Sequence, residues 1–368
     1  MASQQGSEGA GSDGNLLTGK LAEVSDLGRC LVTGAAGFLG RNLVKALLQG
    51  GCRVSALVNR TTLDLEHPEL TIIRGDITDA ADMERACRGI DTVFHTAAMI
   101  ALLGGRFAST KYRQDAWRVN VEGTQNIIDA CQAQGVQRLI YTSSVDVTFD
   151  GKALPRMDEN MPYARHPKSV YAATKIEAER RVLAANSERG LLTCAIRPDG
   201  IYGAEPNEMI DRFHGQVAAG RLKARIGGPD TLQDNSEVTS LVHGEILAAL
   251  NLVPGGIACG QAYFIGDGEP MNSFDFFRPL IEGLGHPFPT QIVSAGFLRP
   301  IVTTWEALHF MLNFPRPMLS PHELDKVTVT HYASYDKAHR ELGYEPLMTV
   351  AQAMEKCLAY CKGKQANS

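Results

Sequence analysis

The 368-residue chain has no Cys-x-x-Cys pair, only two tryptophans and no excess of positive charge. It also lacks any uninterrupted apolar run of the roughly 18 residues that a bilayer-spanning helix needs. Each absence excludes a class. The eight cysteines, at 30, 52, 87, 131, 194, 259, 357 and 361, are scattered, five of them through apolar runs, and read as free thiols of a reducing compartment. Cys357 and Cys361 are four apart, yet no histidine or second cysteine pair accompanies them, so no metal is expected. Lys and Arg total 36 against 41 Asp and Glu, a formal charge of −5, which excludes a basic nucleic-acid binder. The first 28 residues are rich in Gly, Ser and Gln without the apolar core of a secretory signal. A soluble, cytoplasmic protein is expected.

What is present begins at Gly28. Short apolar runs alternate with amphipathic segments: Arg29 to Thr33, Phe38 to Gln49, Arg53 to Val58, Leu70 to Arg74, Asp79 to Arg88 and Asp91 to His95. The strand candidates are continuously apolar, as when helices cover both faces of a parallel sheet. Helical patterns follow at about Tyr112 to Gln134 and Val170 to Glu188, with strands at Arg138 to Thr142 and Leu192 to Arg197. The expected fold is α/β, a doubly wound parallel sheet (Rossmann fold) with a smaller, mixed C-terminal substrate lobe. Its expected division is a disordered tail over 1–27, a dinucleotide-binding domain over 28–200 to which 235–265 returns, a lobe from 201–234 and 266–362, and a tail over 363–368.

Between the first strand and first helix lies Thr33-Gly34-Ala35-Ala36-Gly37-Phe38-Leu39-Gly40. There Gly34 permits the tight turn, Gly37 the approach of a pyrophosphate, and Gly40 close helix–strand packing, while the helix N-terminus, through Phe38 and Leu39, offers positive dipole. The end of the second strand, where NAD enzymes place an acid for the ribose hydroxyl, carries Asn59 and Arg60. A cation without an acid suits a 2′-phosphate, so NADP is favoured with NAD as the alternative. Asp76 and Ile77 at the third strand end, and Thr96, Ala97 and Ala98 at the fourth, complete the expected carboxyl-edge site.

Tyr171-Ala172-Ala173-Thr174-Lys175 opens a helical pattern in which positions i and i+4 share a face. A nearby ammonium favours phenolate and is expected to lower the Tyr171 pKa, making it an acid–base group for a carbonyl/alcohol pair. Ser144, just beyond the fifth strand, can donate to the reacting oxygen; alternation should turn Ser143 to the other face.

These residues resemble the extended short-chain dehydrogenase/reductase superfamily over about residues 28 to 360. Its motifs stand as TGxxGxxG over Thr33 to Gly40, the strand-end Asp76, the Ser144/Tyr171/Lys175 triad, and Arg197-Pro198 followed by Gly200-Ile201-Tyr202-Gly203. Within it the chain looks most like the 3β-hydroxysteroid dehydrogenase family, bacterial cholesterol dehydrogenases in particular. The resemblance rests on Val93 to Ala98, Val119 to Thr124, Tyr141 to Ser144, Gly260 to Ile265 and Leu342 to Pro346.

The resemblance implies oxidation of a sterol 3β-hydroxyl. Tyr171 would take the proton, Lys175 would also hold the nicotinamide ribose, and Ser144 the substrate oxygen, with Pro198 and Ile201 beside the cofactor. It also implies a homodimer built on long helices. Many members then shift a Δ5 double bond to Δ4, for which Asp146, Asp199, Asp267 and Glu269 are candidate carboxylates. Asn59 in place of the usual acid, and Asp199 after Pro198, depart from the pattern. The alternatives are a 2-alkyl-3-ketoacyl reductase, a nucleotide-sugar epimerase or dehydratase, and a non-catalytic NAD(P)-sensing regulator. The apolar but interrupted segment Phe297 to Phe314 fits a substrate wall or lid, a surface for peripheral membrane contact, or an ordinary lobe helix.

Overall fold

The structure is a computed structural model that describes residues 24–103, 107–187 and 190–366. Seven strands form one parallel sheet: β1 Arg29–Thr33, β2 Arg53–Val58, β3 Leu70–Arg74, β4 Thr92–His95, β5 Arg138–Thr142, β6 Leu192–Pro198 and β7 Gln261–Ile265. Their order across the sheet is β7-β6-β5-β4-β1-β2-β3. The chain therefore winds outward from β1 in both directions, and the loops after β1 and β4 open a crevice at the switch point.

Alternate residues of β1 feed two cores. Cys30 and Val32 join Leu43, Leu47, Leu241, Ile246 and Tyr263 on one face, whereas Leu31 joins Val93, Ile127, Leu139, Ala178 and Val182 on the other. Truncating one such leucine to alanine costs about 2–5 kcal/mol, so these layers hold the sheet edge in place.

The expected parallel order is present, with differences at the margins. Residues 1–23 of the expected tail lie outside the described residues, but Val24 and Leu27 are buried in the first core, so ordered chain precedes Gly28. At the other end the last helix, Val350–Ala366, runs into the expected tail; 367 and 368 lie outside the described residues. The long pattern ending at Gln134 is helical from Thr110 but passes through a π-turn at Arg118–Glu122. The helix Val238–Leu250 gave no periodic signal because ten of its thirteen residues are buried. Ala338, Leu342 and Tyr344, expected in the lobe, join the first core instead.

Beyond the sheet, short parallel pairs stitch the second lobe to the first. Gly200–Tyr202 pairs with Asn235–Glu237, and Leu154–Met157 with His331–Ala333. Cys357 and Cys361 pack in a lobe core with Tyr202 and Phe276. Among the described residues no helix is long and apolar enough to cross a membrane.

Candidate active site

Gly34, directly after β1, has φ of 66°, where an L side chain is strained, and a Cβ there would also press on the Ala97 backbone. A Cβ on Gly40 would strike the Gly34 carbonyl. The helix Phe38–Gln49 thus starts close against the loop, with Gly37 at its N-cap and no side chain capping it. Its first amides, from Phe38, Leu39 and Gly40, are left to an external acceptor, the arrangement that suits a pyrophosphate. Thr96 donates to the Thr33 carbonyl at 2.7 Å, and Thr96, Ala97 and Ala98 line the crevice half-buried.

Asn59 and Arg60 are exposed at the end of β2. Asp76, at the end of β3, accepts the Thr78 amide and hydroxyl, both at 2.9 Å. These bonds, the Thr78 amide foremost, hold its carboxyl below the usual range. Ile77 is buried against Gly123, and its carbonyl accepts from Asn126 at 2.9 Å. Pro198 ends β6 opposite Ile265, and Ile201 packs half-buried against the first core together with Phe38. The residues named from the glycine loop, β2 to β4 and β6 are therefore all placed around one carboxyl edge, and they fit a dinucleotide.

The helix Val170–Ala184, which carries Tyr171 and Lys175, is capped by Ser169, which accepts the Ala172 amide at 3.1 Å. It is locked to β6 by the buried Glu179–Arg197 ion pair at 2.6 Å, with the Tyr163 hydroxyl donating to Glu179 at 2.9 Å. A polar chain links it to the glycine-loop strand. Thr33 bonds His95 at 2.7 Å, His95 bonds Thr124 at 3.0 Å, Thr124 donates to the Asn120 carbonyl at 2.7 Å, and the Asn120 side chain donates to Thr174 at 2.9 Å. Burial, and secondarily Lys175, pushes His95 down to about 3, so it takes part as a neutral ring. Asn120 sits in the π-turn and was not singled out from sequence; an asparagine between two valines in a helical pattern was the available signal.

Ser144 stands beside Tyr171, and its side chain favours the ionised form of the phenol. Ser144 accepts the Asp146 amide at 3.2 Å, whereas the Ser143 hydroxyl is buried without a partner. The Lys175 ammonium lies 5.7 Å from the Tyr171 ring and 4.5 Å from that of Tyr141, and it donates to the Thr142 carbonyl at 2.5 Å.

One electrostatic expectation is corrected. The Tyr171 phenol is pushed well up, not down, by burial and then by the Asp146 carboxylate. The cation that counters this is Lys326, from the second lobe. Lys175 itself is lowered to about 7 by burial, with Glu179 and Glu245 opposing.

Of the four candidate carboxylates, Asp146 adjoins the Ser144–Tyr171 pair and Asp199 is joined to it through Lys326. Asp267 accepts the Glu237 amide at 2.8 Å and Glu269 the Val350 amide at 3.0 Å, which gives both local structural bonds. Lys326 and His322 were not found from sequence, because nothing local marks a distant lobe helix as reaching the centre.

The sequence profile of the 3-beta hydroxysteroid dehydrogenase/isomerase family matches residues 31–295. A Mycobacterium tuberculosis protein named 3 beta-hydroxysteroid dehydrogenase/Delta 5→4-isomerase is 46% identical over 342 residues, covering 93% of this chain and 92% of the relative. The human short-chain dehydrogenase/reductase family 42E member 1 is 38% identical, covering 92% and 89%. Among solved structures, MoeE5 in complex with UDP-glucuronic acid and NAD is similar with a TM-score of 0.68 at 25% identity, over 91% of this chain and 99% of that one.

Proposed function

Because the chain belongs to the 3-beta hydroxysteroid dehydrogenase/isomerase family, we propose that it oxidises the 3β-hydroxyl of a sterol or steroid to the ketone. The observation that carries this reading is the gathering of Ser144, Tyr171 and Lys175, whose ammonium lies 5.7 Å from the Tyr171 ring, at the sheet edge that also bears an uncapped glycine-loop helix. A nicotinamide dinucleotide bound there supplies the hydride acceptor.

In this reading the glycine loop and the amides of Phe38, Leu39 and Gly40 hold the pyrophosphate, Asp76 and Ile77 the adenine end, and Thr96 to Ala98, Pro198 and Ile201 the nicotinamide end. Ser144 orients the substrate oxygen, and the Tyr171 oxygen takes the hydroxyl proton. Lys175, fixed by its bond to the Thr142 carbonyl, holds the nicotinamide ribose, while Lys326 supplies the cation that favours the Tyr171 phenolate. Exposed Arg60, with no acid beside it, favours a 2′-phosphate and so NADP over NAD.

Isomerisation from Δ5 to Δ4, named for the mycobacterial relative, extends the same reading. Despite its burial, Asp146 is held strongly ionised by Lys326 and His322, which suits it to electrostatic support more than to proton exchange. Trp117, 41% exposed on the helix Thr110–Trp117, supports a homodimer through the long helices, and the apolar exposed side chains of Ala295–Leu312 support peripheral membrane contact.

The test is spectroscopic. Purified protein with pregnenolone or dehydroepiandrosterone and either NAD or NADP should develop the absorbance of reduced nicotinamide, and enone absorbance if isomerisation follows. Dinucleotide binding without turnover of either steroid would overturn the steroid reading and direct attention to ketoacyl substrates.

A further inference from the structure

The helix Pro321–Thr328 belongs to the second lobe, yet two of its side chains end at the catalytic edge. It is built to hold position: Ser320 and Glu323 form a reciprocal capping box and Pro321 occupies the first turn. One turn apart on it, His322 hydrogen-bonds one Asp146 oxygen at 3.0 Å and Lys326 forms an ion pair with the other at 3.1 Å. Lys326 also reaches Asp199 at 2.8 Å.

Asp146 follows the end of β5 and Asp199 the end of β6, adjacent strands of the sheet. Two carboxylates at neighbouring strand ends repel each other in a site of low dielectric, and a single ammonium between them turns that repulsion into a clamp. The groups facing the clamp are His322 on the lysine's own helix, and His331, whose Nε2 lies 3.8 Å from Asp199. The clamp then reaches the chemistry through one further bond, from the Asp146 amide to the Ser144 hydroxyl oxygen.

We propose that Lys326 is a positioning residue of the dehydrogenase centre: by tying Asp146 to Asp199 it fixes the Ser144 hydroxyl that Tyr171 and the substrate oxygen share. The inference rests on the assignment of Ser144 and Tyr171 to catalysis. With the Asp146 carboxylate held by Lys326 and His322, the Asp146 amide is kept directed at Ser144, which occupies that hydroxyl oxygen as an acceptor and leaves its proton for Tyr171 or the substrate. Lys326 also offsets the carboxylate that opposes phenolate formation at Tyr171. The packing of the helix Pro321–Thr328 and the completion of the centre are thereby linked through a residue 151 positions beyond Lys175 in the sequence.

The test compares Lys326→Met, Lys326→Arg and Tyr171→Phe with the parent, reading kcat, dinucleotide binding by fluorescence, and the pH profile of kcat. Lys326→Met should bind dinucleotide as the parent does, lose on the order of 10²-fold in kcat, and need higher pH for half-maximal oxidation, because an uncompensated Asp146 opposes the Tyr171 phenolate. Lys326→Arg should restore most of the rate. Parental kcat and pH profile in Lys326→Met would overturn the proposal.

If that variant loses dinucleotide binding through misfolding, the decision passes to Asp199→Asn/Lys326→Met, which removes the second carboxylate along with the cation. Reduced kcat with intact binding then supports the clamp, and parental kcat overturns it. Tyr171→Phe separates the two readings: if it retains turnover, the catalytic assignment fails, whereas its loss beside an unaffected Lys326→Met rejects the clamp alone.

Discussion

The Lys175 ammonium donates to the main-chain carbonyl of Thr142 at 2.5 Å, which fixes the helix Val170–Ala184 to the end of β5. The Thr142 hydroxyl donates in turn to Glu245 at 2.6 Å, so a buried acid stands behind the lysine. Burial raises Glu245 from 4.5 to about 7, opposed by the Thr142 bond and Lys175. The folded protein therefore binds more protons than the unfolded chain between about pH 4.5 and 7, and loses stability as pH rises through that window. Glu245→Gln, which still offers Thr142 an oxygen, should match the parent near pH 4.5 and exceed it above pH 7 by up to about 3 kcal/mol. Urea unfolding at the two pH values checks this.

Tyr171→Phe removes the hydroxyl proposed as the proton acceptor while leaving the ring. Dinucleotide affinity should persist and kcat fall by about 10²-fold or more. In the parent, burial and Asp146 keep the phenol protonated at neutral pH. Oxidation should accelerate with rising pH as phenolate becomes accessible, whereas ketone reduction, which uses the phenol as donor, should slow. Initial rates in both directions across pH decide it, and coincident profiles would contradict the role.

Gly40→Ala inserts a methyl group against the Gly34 carbonyl, which is backbone and cannot swing aside. The helix must back away from β1, at a cost of about 1–3 kcal/mol, and its first amides leave the pyrophosphate position. Thermal unfolding should drop and dinucleotide fluorescence titration should show binding lost.

Asn59→Asp returns an acid to the end of β2 beside Arg60. A carboxylate repels a 2′-phosphate and accepts a ribose hydroxyl, so kcat/KM for NADP relative to NAD should fall roughly tenfold or more. An unchanged ratio would place the selectivity elsewhere than at Asn59 and Arg60.

The nucleotide half was legible in the sequence because each part is local. Gly34, Gly37 and Gly40 lie within one turn, Tyr171 and Lys175 on one helix face, and fully buried strands such as β4 read as apolar runs. Direct reading of charge was less secure: spacing put a cation near Tyr171, but whether burial or Coulomb attraction prevails depends on desolvation, which sequence does not display. Lys326 and His322 were invisible because their partner Asp146 is about 180 residues away and only the packing of the lobe brings them together. The helix Val238–Leu250 was hidden for the opposite reason, since burial on nearly all sides erases the periodic contrast by which an amphipathic helix is recognised.

The helix Ala295–Leu312 leaves Phe297, Met311 and Leu312 exposed at 67%, 73% and 70%, with Ile301, Trp305, Phe314 and Met318 also open. Its Phe310 ring rests on Tyr112, 5.3 Å away, so the helix is anchored while these side chains face outward. Between His286 and His322 the only carboxylate is Glu306, which is 2% exposed, whereas Arg316 is exposed. An apolar face with cationic and no exposed anionic charge is complementary to an anionic bilayer, where a sterol substrate would reside. The same helix contacts the helix Pro321–Thr328, since Arg299 pairs with Asp325, next to Lys326. The protein should sediment with phosphatidylserine-containing vesicles and less with neutral ones, with high salt weakening the difference. Phe297→Ser/Leu312→Ser should reduce that binding severalfold and slow turnover of vesicle-borne cholesterol, yet leave kcat unchanged on a water-soluble steroid. Equal binding by parent and variant would show that this face is not the one that meets lipid.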